Sequence, residues 1–139
     1  VQYGQYEMTR PGVMPAPITI NRPHDRVTEE DAPVRILDPQ SPLLSVPNRI
    51  TQADFQGWVQ ERSLYMPRTF GERYKAVLSM NDPGEAPNDG ALLVMPYGSG
   101  TYVYTTLAFF RQLPAGVPGA ARLFMNLLAG SQRPRPVVP

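Results

Sequence analysis

The 139-residue chain has no cysteine, one histidine (His24), one lysine (Lys75) and one tryptophan (Trp58). The missing cysteine excludes disulfides, thiolate metal sites and thiol nucleophiles together, and leaves the redox compartment open. With one histidine and no thiolate, carboxylates would have to complete any zinc site, which is unusual. Charge of one sign is lacking too: the formal net charge is +1, which offers no basic face for nucleic acid. No apolar run approaches the ~20 residues of a membrane-spanning helix. No serine–histidine–carboxylate motif and no phosphate-binding glycine loop occurs. No cofactor and no metal are therefore expected, and no turnover by this chain alone.

Proline, by contrast, is abundant. Seventeen prolines cluster towards the two ends, with Pro11, Pro15, Pro17 and Pro23 early and Pro134, Pro136 and Pro139 late. Each removes a backbone donor and fixes φ, so these regions are expected to be extended and irregular. The opening residues read as a short strand (1–6) rather than a signal peptide, and a start without Met suggests a processed or excised piece. A hydrophobic content of 42% suffices for a modest core in one domain. Residues 1–130 are expected to form that domain and residues 131–139 a proline-rich tail.

The core is expected in residues 91–130. Residues 92–97 and 101–106 are β-rich runs separated by Gly98, Ser99 and Gly100, the pattern of a hairpin. Residues 107–113 read as a short helix stopped by Pro114. Pro118 and Gly130 bracket a second helix, with proline just inside the start and glycine just past the end. Val117, Ala121, Phe124 and Leu128 fall on one face of it, widened by Ala120, Leu123 and Leu127, while Arg122 and Asn126 interrupt it. This face is expected to pack across the hairpin. Upstream, residues 18–20, 26–28, 34–37 and 74–80 read as extended, and Ser41-Pro42 as the start of a turn. Thr51 with Asp54 forms an acidic capping box for a two-turn helix over 51–58, and residues 81–90 read as a loop.

Few residues suggest chemistry, and each has a plain structural reading. His24 reads as a surface-loop residue. Asp82, Glu85 and Asp89 crowd one loop but do not follow the alternating calcium-loop spacing. Trp58, Glu61, Arg62 and Tyr65 interleave flat aromatics with a carboxylate and a guanidinium, a set suited to sugar or peptide recognition. The same residues serve equally well as helix packing plus an ion pair. Arg111, followed by Gln112 at a strand-to-helix transition, is an anion-binding candidate, although a lone arginine there is more often structural.

Four segments carry a family resemblance: residues 51–62 (TQADFQGWVQER), 79–85 (SMNDPGE), 98–105 (GSGTYVYT) and 107–120 (LAFFRQLPAGVPGA). Together they resemble the C-terminal region of large bacterial PIG-L/LmbE-type deacetylase proteins, a region similar to class I glutamine amidotransferase-like domains. The resemblance implies an α/β fold, the later part of a flavodoxin-like sandwich, and a periplasmic or secreted location. It carries over no catalytic residue, because neither the amidotransferase cysteine nor the deacetylase histidine and paired aspartates occur here. What it implies is a non-catalytic accessory or structural module, associating with other domains of its parent polypeptide or forming a homo-oligomer. The alternatives are a carbohydrate- or small-ligand-binding module and a fragment of a hydrolase or deacetylase whose catalytic residues lie upstream.

Overall fold

The predicted hairpin forms two of the four strands of the main sheet. The computed structural model describes residues 5–129. Strand β7 (Asn88–Tyr97) pairs antiparallel with β8 (Gly100–Thr105), and Tyr97 faces Gly100 across the two-residue turn. Gly98 takes φ +55° there, a conformation most residues resist. On its other side β7 pairs with β6 (Lys75–Met80), and β6 pairs with β3 (Val34–Ile36), giving the sheet order β3-β6-β7-β8. Two small ladders complete the strands: β1 (Ile18–Thr19) with β5 (Thr69–Phe70), and β2 (Asp25–Val27) with β4 (Ser63–Met66).

Side chains alternate across the hairpin and divide between two apolar clusters. Leu92, Val94 and Val103 join the main core with Leu78, Met80, Phe55, Trp58 and Leu123. Leu93, Met95, Tyr102 and Tyr104 meet Ala16, Ile18 and Tyr74 on the opposite face. The Tyr74 hydroxyl donates to the Ala16 carbonyl at 2.8 Å, which pins the proline-rich early segment to that face. The chain is thus a mixed α/β protein, mostly antiparallel sheet with few helices. A flavodoxin-like sandwich is built from parallel strands joined by helical crossovers. Among the described residues every strand pair is antiparallel.

Several expectations change in detail. Tyr6 lies in a helical turn, α1 (Gln5–Met8), not in a strand, and Thr9 closes that turn by donating to the Tyr6 carbonyl at 3.0 Å. Residues 1–4, Gly130 and the tail expected at 131–139 lie outside the described residues. The helix expected over 51–58 is a single 3-10 turn, Gln52–Phe55. Its acidic cap is real, with Asp54 accepting from the Thr51 N–H at 2.9 Å, but Gly57 at φ +74° ends it. Strand β7 begins at Asn88, inside the expected loop, and helix α2 covers only Phe109–Gln112.

The largest correction concerns α3 (Pro118–Ala129). Its buried face carries Gly119, Ala120, Leu123 and Asn126, with Phe124 and Leu127 half-buried, whereas Ala121 is exposed and Leu128 is 62% exposed. The helix packs against residues 41–55, whose irregular backbone presents polar groups that need partners. Asn126 meets them: it accepts from the Asn48 N–H at 2.9 Å and donates to the carbonyls of Leu43 (2.9 Å) and Asn48 (2.6 Å). Arg122 donates to Asp54 at 2.8 Å and to the Arg49 carbonyl at 2.9 Å. Gly119 allows this approach, since a Cβ there would collide with the Asp54 carbonyl.

Candidate functional site

Three of the sequence candidates, Trp58, Glu61 and Arg62, lie on the stretch between the 3-10 turn and β4. Val59, Gln60 and Glu61 form a three-residue turn, with the Glu61 N–H donating to the Val59 carbonyl at 2.9 Å and Gln60 at φ +66°. A side-chain-bearing residue at that φ is strained, so the turn needs outside support. Gln112 of α2, fully buried, supplies it. Its amide nitrogen donates to the carbonyls of Val59 (2.9 Å) and Glu61 (3.0 Å), and its oxygen accepts from the Val59 N–H at 2.8 Å.

From this turn the candidates separate. Glu61 ion-pairs with Arg111 of α2, whose guanidinium lies 4.9 Å over the Phe110 ring. Trp58 is 2% exposed; its indole N–H donates to the Asp54 carbonyl at 2.9 Å, and its ring packs against Phe55 and Phe109. Arg62 is 5% exposed and donates to the Phe55 carbonyl at 2.8 Å, with its guanidinium 6.0 Å from the Trp58 ring centre. Its Nε is buried with no partner among the described residues. Burial pushes the Arg62 pKa down, and the charge of Asp31 opposes that shift. Tyr65 sits apart, at φ +54°, stacked on His24 at 3.9 Å with Tyr6 edge-on at 5.5 Å. Burial lowers the His24 pKa, the charge of Arg26 adds to this, and Asp25 opposes it.

The five residues therefore do not form one site. Trp58 and Arg62 line a cleft of about 460 Å³ between residues 30–34 and 52–58, together with Glu30, Asp31, Val34 and Phe55. Glu61, Tyr65 and Arg111 are not part of its lining. Sequence reasoning missed Glu30 and Asp31, whose signal was the short acidic run ending just before Ala32-Pro33.

Of the other acidic candidates, Asp82 serves the backbone. Asp82 accepts from the N–H groups of Thr28 and Glu29, each at 2.9 Å, and from the Thr28 hydroxyl at 2.8 Å. Burial raises its pKa, but these donors and the charge of Arg26 outweigh burial and hold it below the ordinary aspartate range. Glu85 and Asp89 are exposed. Among the described residues no group of three or more His, Asp or Glu side chains gathers to hold a metal ion, and no helix is long and apolar enough to cross a membrane. Comparison with protein-family models, with curated proteins and with solved structures finds no match for the chain.

Proposed function

We propose that the chain is a non-catalytic accessory module that docks against copies of itself or other domains of its parent polypeptide. One observation carries this reading: the shielded carboxylates Asp25, Asp38, Asp54 and Glu61 are spent in joining one segment of the fold to another. Asp25 pairs with Arg68 at 2.5 Å and accepts from Asn88 at 3.0 Å. Asp38 pairs with Lys75 at 3.0 Å, Asp54 with Arg122 at 2.8 Å, and Glu61 with Arg111. A general acid or base needs a free, reachable oxygen near the reacting atom, and these oxygens face the protein's own donors. Docking draws further support from the surface. Strands β3 and β8 stand at the two margins of the main sheet, and α3 turns Met125 and Leu128 to solvent.

In this reading the parent is a PIG-L/LmbE-type deacetylase-like protein, on the strength of the four motif segments alone, and any parallel strands of a flavodoxin-like sandwich are supplied upstream. A carbohydrate-binding role has less support, because stacking on a sugar needs an accessible ring and Trp58 is almost wholly covered. Light scattering at micromolar concentration, beside a turnover screen on N-acetylated amino sugars and glutamine, tests the proposal. A dimer or larger species without turnover is expected. A monomer overturns self-docking, and turnover that vanishes in Glu61→Gln overturns the non-catalytic reading.

A further inference from the structure

We propose that the cleft between residues 30–34 and 52–58 binds a small zwitterion, an apolar α-amino acid, with its carboxylate on Arg62 and its ammonium on the Glu30–Asp31 lip. The starting point is the state of Arg62. Arg62 is 5% exposed, and among the described residues its guanidinium has one hydrogen bond, to the Phe55 carbonyl, and a buried Nε with no acceptor. Buried donors are almost always paired, and leaving a charged one short of acceptors is costly. The donor belongs to a residue lining a cleft of about 460 Å³, which lies within the range of small-molecule sites.

The lining decides what kind of acceptor fits. Guanidinium groups match planar, two-oxygen anions such as carboxylates. The lip carries Glu30 and Asp31, both exposed; Glu30 also accepts from the Gln60 N–H at 2.9 Å, and the charge of Asp31 acts on Arg62 without hydrogen-bonding it. Those two carboxylates disfavour a phosphate-rich ligand and favour a cationic group at the mouth. Between the two charged zones Val34, Phe55 and Trp58 supply apolar wall, with Gln52 and Gln56 lining the cleft beside them. A buried cation, apolar walls and an anionic mouth together complement a carboxylate, an apolar side chain and an ammonium in one molecule. This inference does not depend on the docking reading.

Trp58 is the only tryptophan in the chain and forms a wall of the cleft, so its fluorescence responds to a ligand seated there. The probes are L-leucine, L-leucinamide, which lacks the carboxylate, and N-acetyl-L-leucine, which lacks the ammonium. L-leucine is expected to give a saturable change in the millimolar range or below. Leucinamide should bind at least about tenfold more weakly, as expected for losing a charged hydrogen-bonding partner. N-acetyl-L-leucine should bind about threefold more weakly, since the lip is exposed and screened. Asp31→Asn should weaken L-leucine by a similar factor and leave N-acetyl-L-leucine unchanged, and Arg62→Lys should remove the preference for leucine over leucinamide. Arg62 also holds the Phe55 carbonyl; should its variant fail to fold, Asp31→Asn at an exposed position still decides the matter. No saturable response to L-leucine, equal responses to all three probes, or an unaltered leucine response in Asp31→Asn overturns the proposal. None of these results bears on the light-scattering test of docking.

Discussion

Gln112, the neighbour of the anion-binding candidate Arg111, acts as a structural clamp. Its three hydrogen bonds all go to the strained turn at residues 59–61, and the side chain is fully buried. Replacing it with leucine of similar volume removes the partner of the Val59 N–H and the amide donor to the Glu61 carbonyl, and leaves the Val59 carbonyl only the Glu61 N–H. Gln112→Leu should therefore destabilise the protein by about 3 kcal/mol, read as a lower urea midpoint with unchanged slope. Asp82 makes a second residue-scale case. Its native pKa is held down, so its contribution is full above the ordinary aspartate range and fades as pH falls through the lower native value. Asp82→Asn should cost roughly 1 kcal/mol at neutral pH, allowing for solvent screening of a half-exposed group. The gap between the two proteins should close in acid. Urea titrations at neutral and acid pH would show it, and a gap that persists in acid would rule out this origin.

At the scale of the element, α3 separates what composition reveals from what it conceals. Its start at Pro118 was legible because proline at the first turn loses only a donor the helix does not use. The hairpin was legible because β-branched and aromatic residues flank a glycine-containing turn. The packed face of α3 was not. Counting apolar volume favours Phe124 and Leu128, but the helix meets a loop whose carbonyls require Asn126, and no local pattern announces that. The same limit applies to the candidate site. Trp58 and Arg62 were visible only within the wider set with Glu61 and Tyr65, whereas Glu30 and Asp31 reach the same cleft only through the chain's path, and Gln112 supports the turn across 53 positions. The corrected face has a direct consequence. Leu123→Ala should cost about 3 kcal/mol and Leu128→Ala less than about 0.5 kcal/mol. If urea denaturation finds the two equal, the helix is rotated from the position described.

For the whole molecule, stability and association draw on different surfaces. The main core joins the sheet to α2, α3 and the turns through Leu78, Met80, Leu92, Trp58, Phe109 and Leu123, so folding does not depend on the outer face of α3. That outer face carries Met125 and Leu128, both more than half exposed. Exposed apolar side chains occur singly on most proteins and mean little alone. Two at helical spacing i, i+3 on one helix share a face, and burying such a pair against a second copy removes apolar area from water. The double variant Met125→Lys/Leu128→Lys should therefore shift the light-scattering mass to that of the monomer while leaving the urea midpoint within about 0.5 kcal/mol of the parent. Adding positive charge near the helix C-terminus also suits the helix dipole, which keeps the variant a test of association rather than of folding. A double variant that remains associated would move the docking surface to a sheet margin, at β3 or β8. Proline placed in one margin strand at a time would then show which of the two carries it.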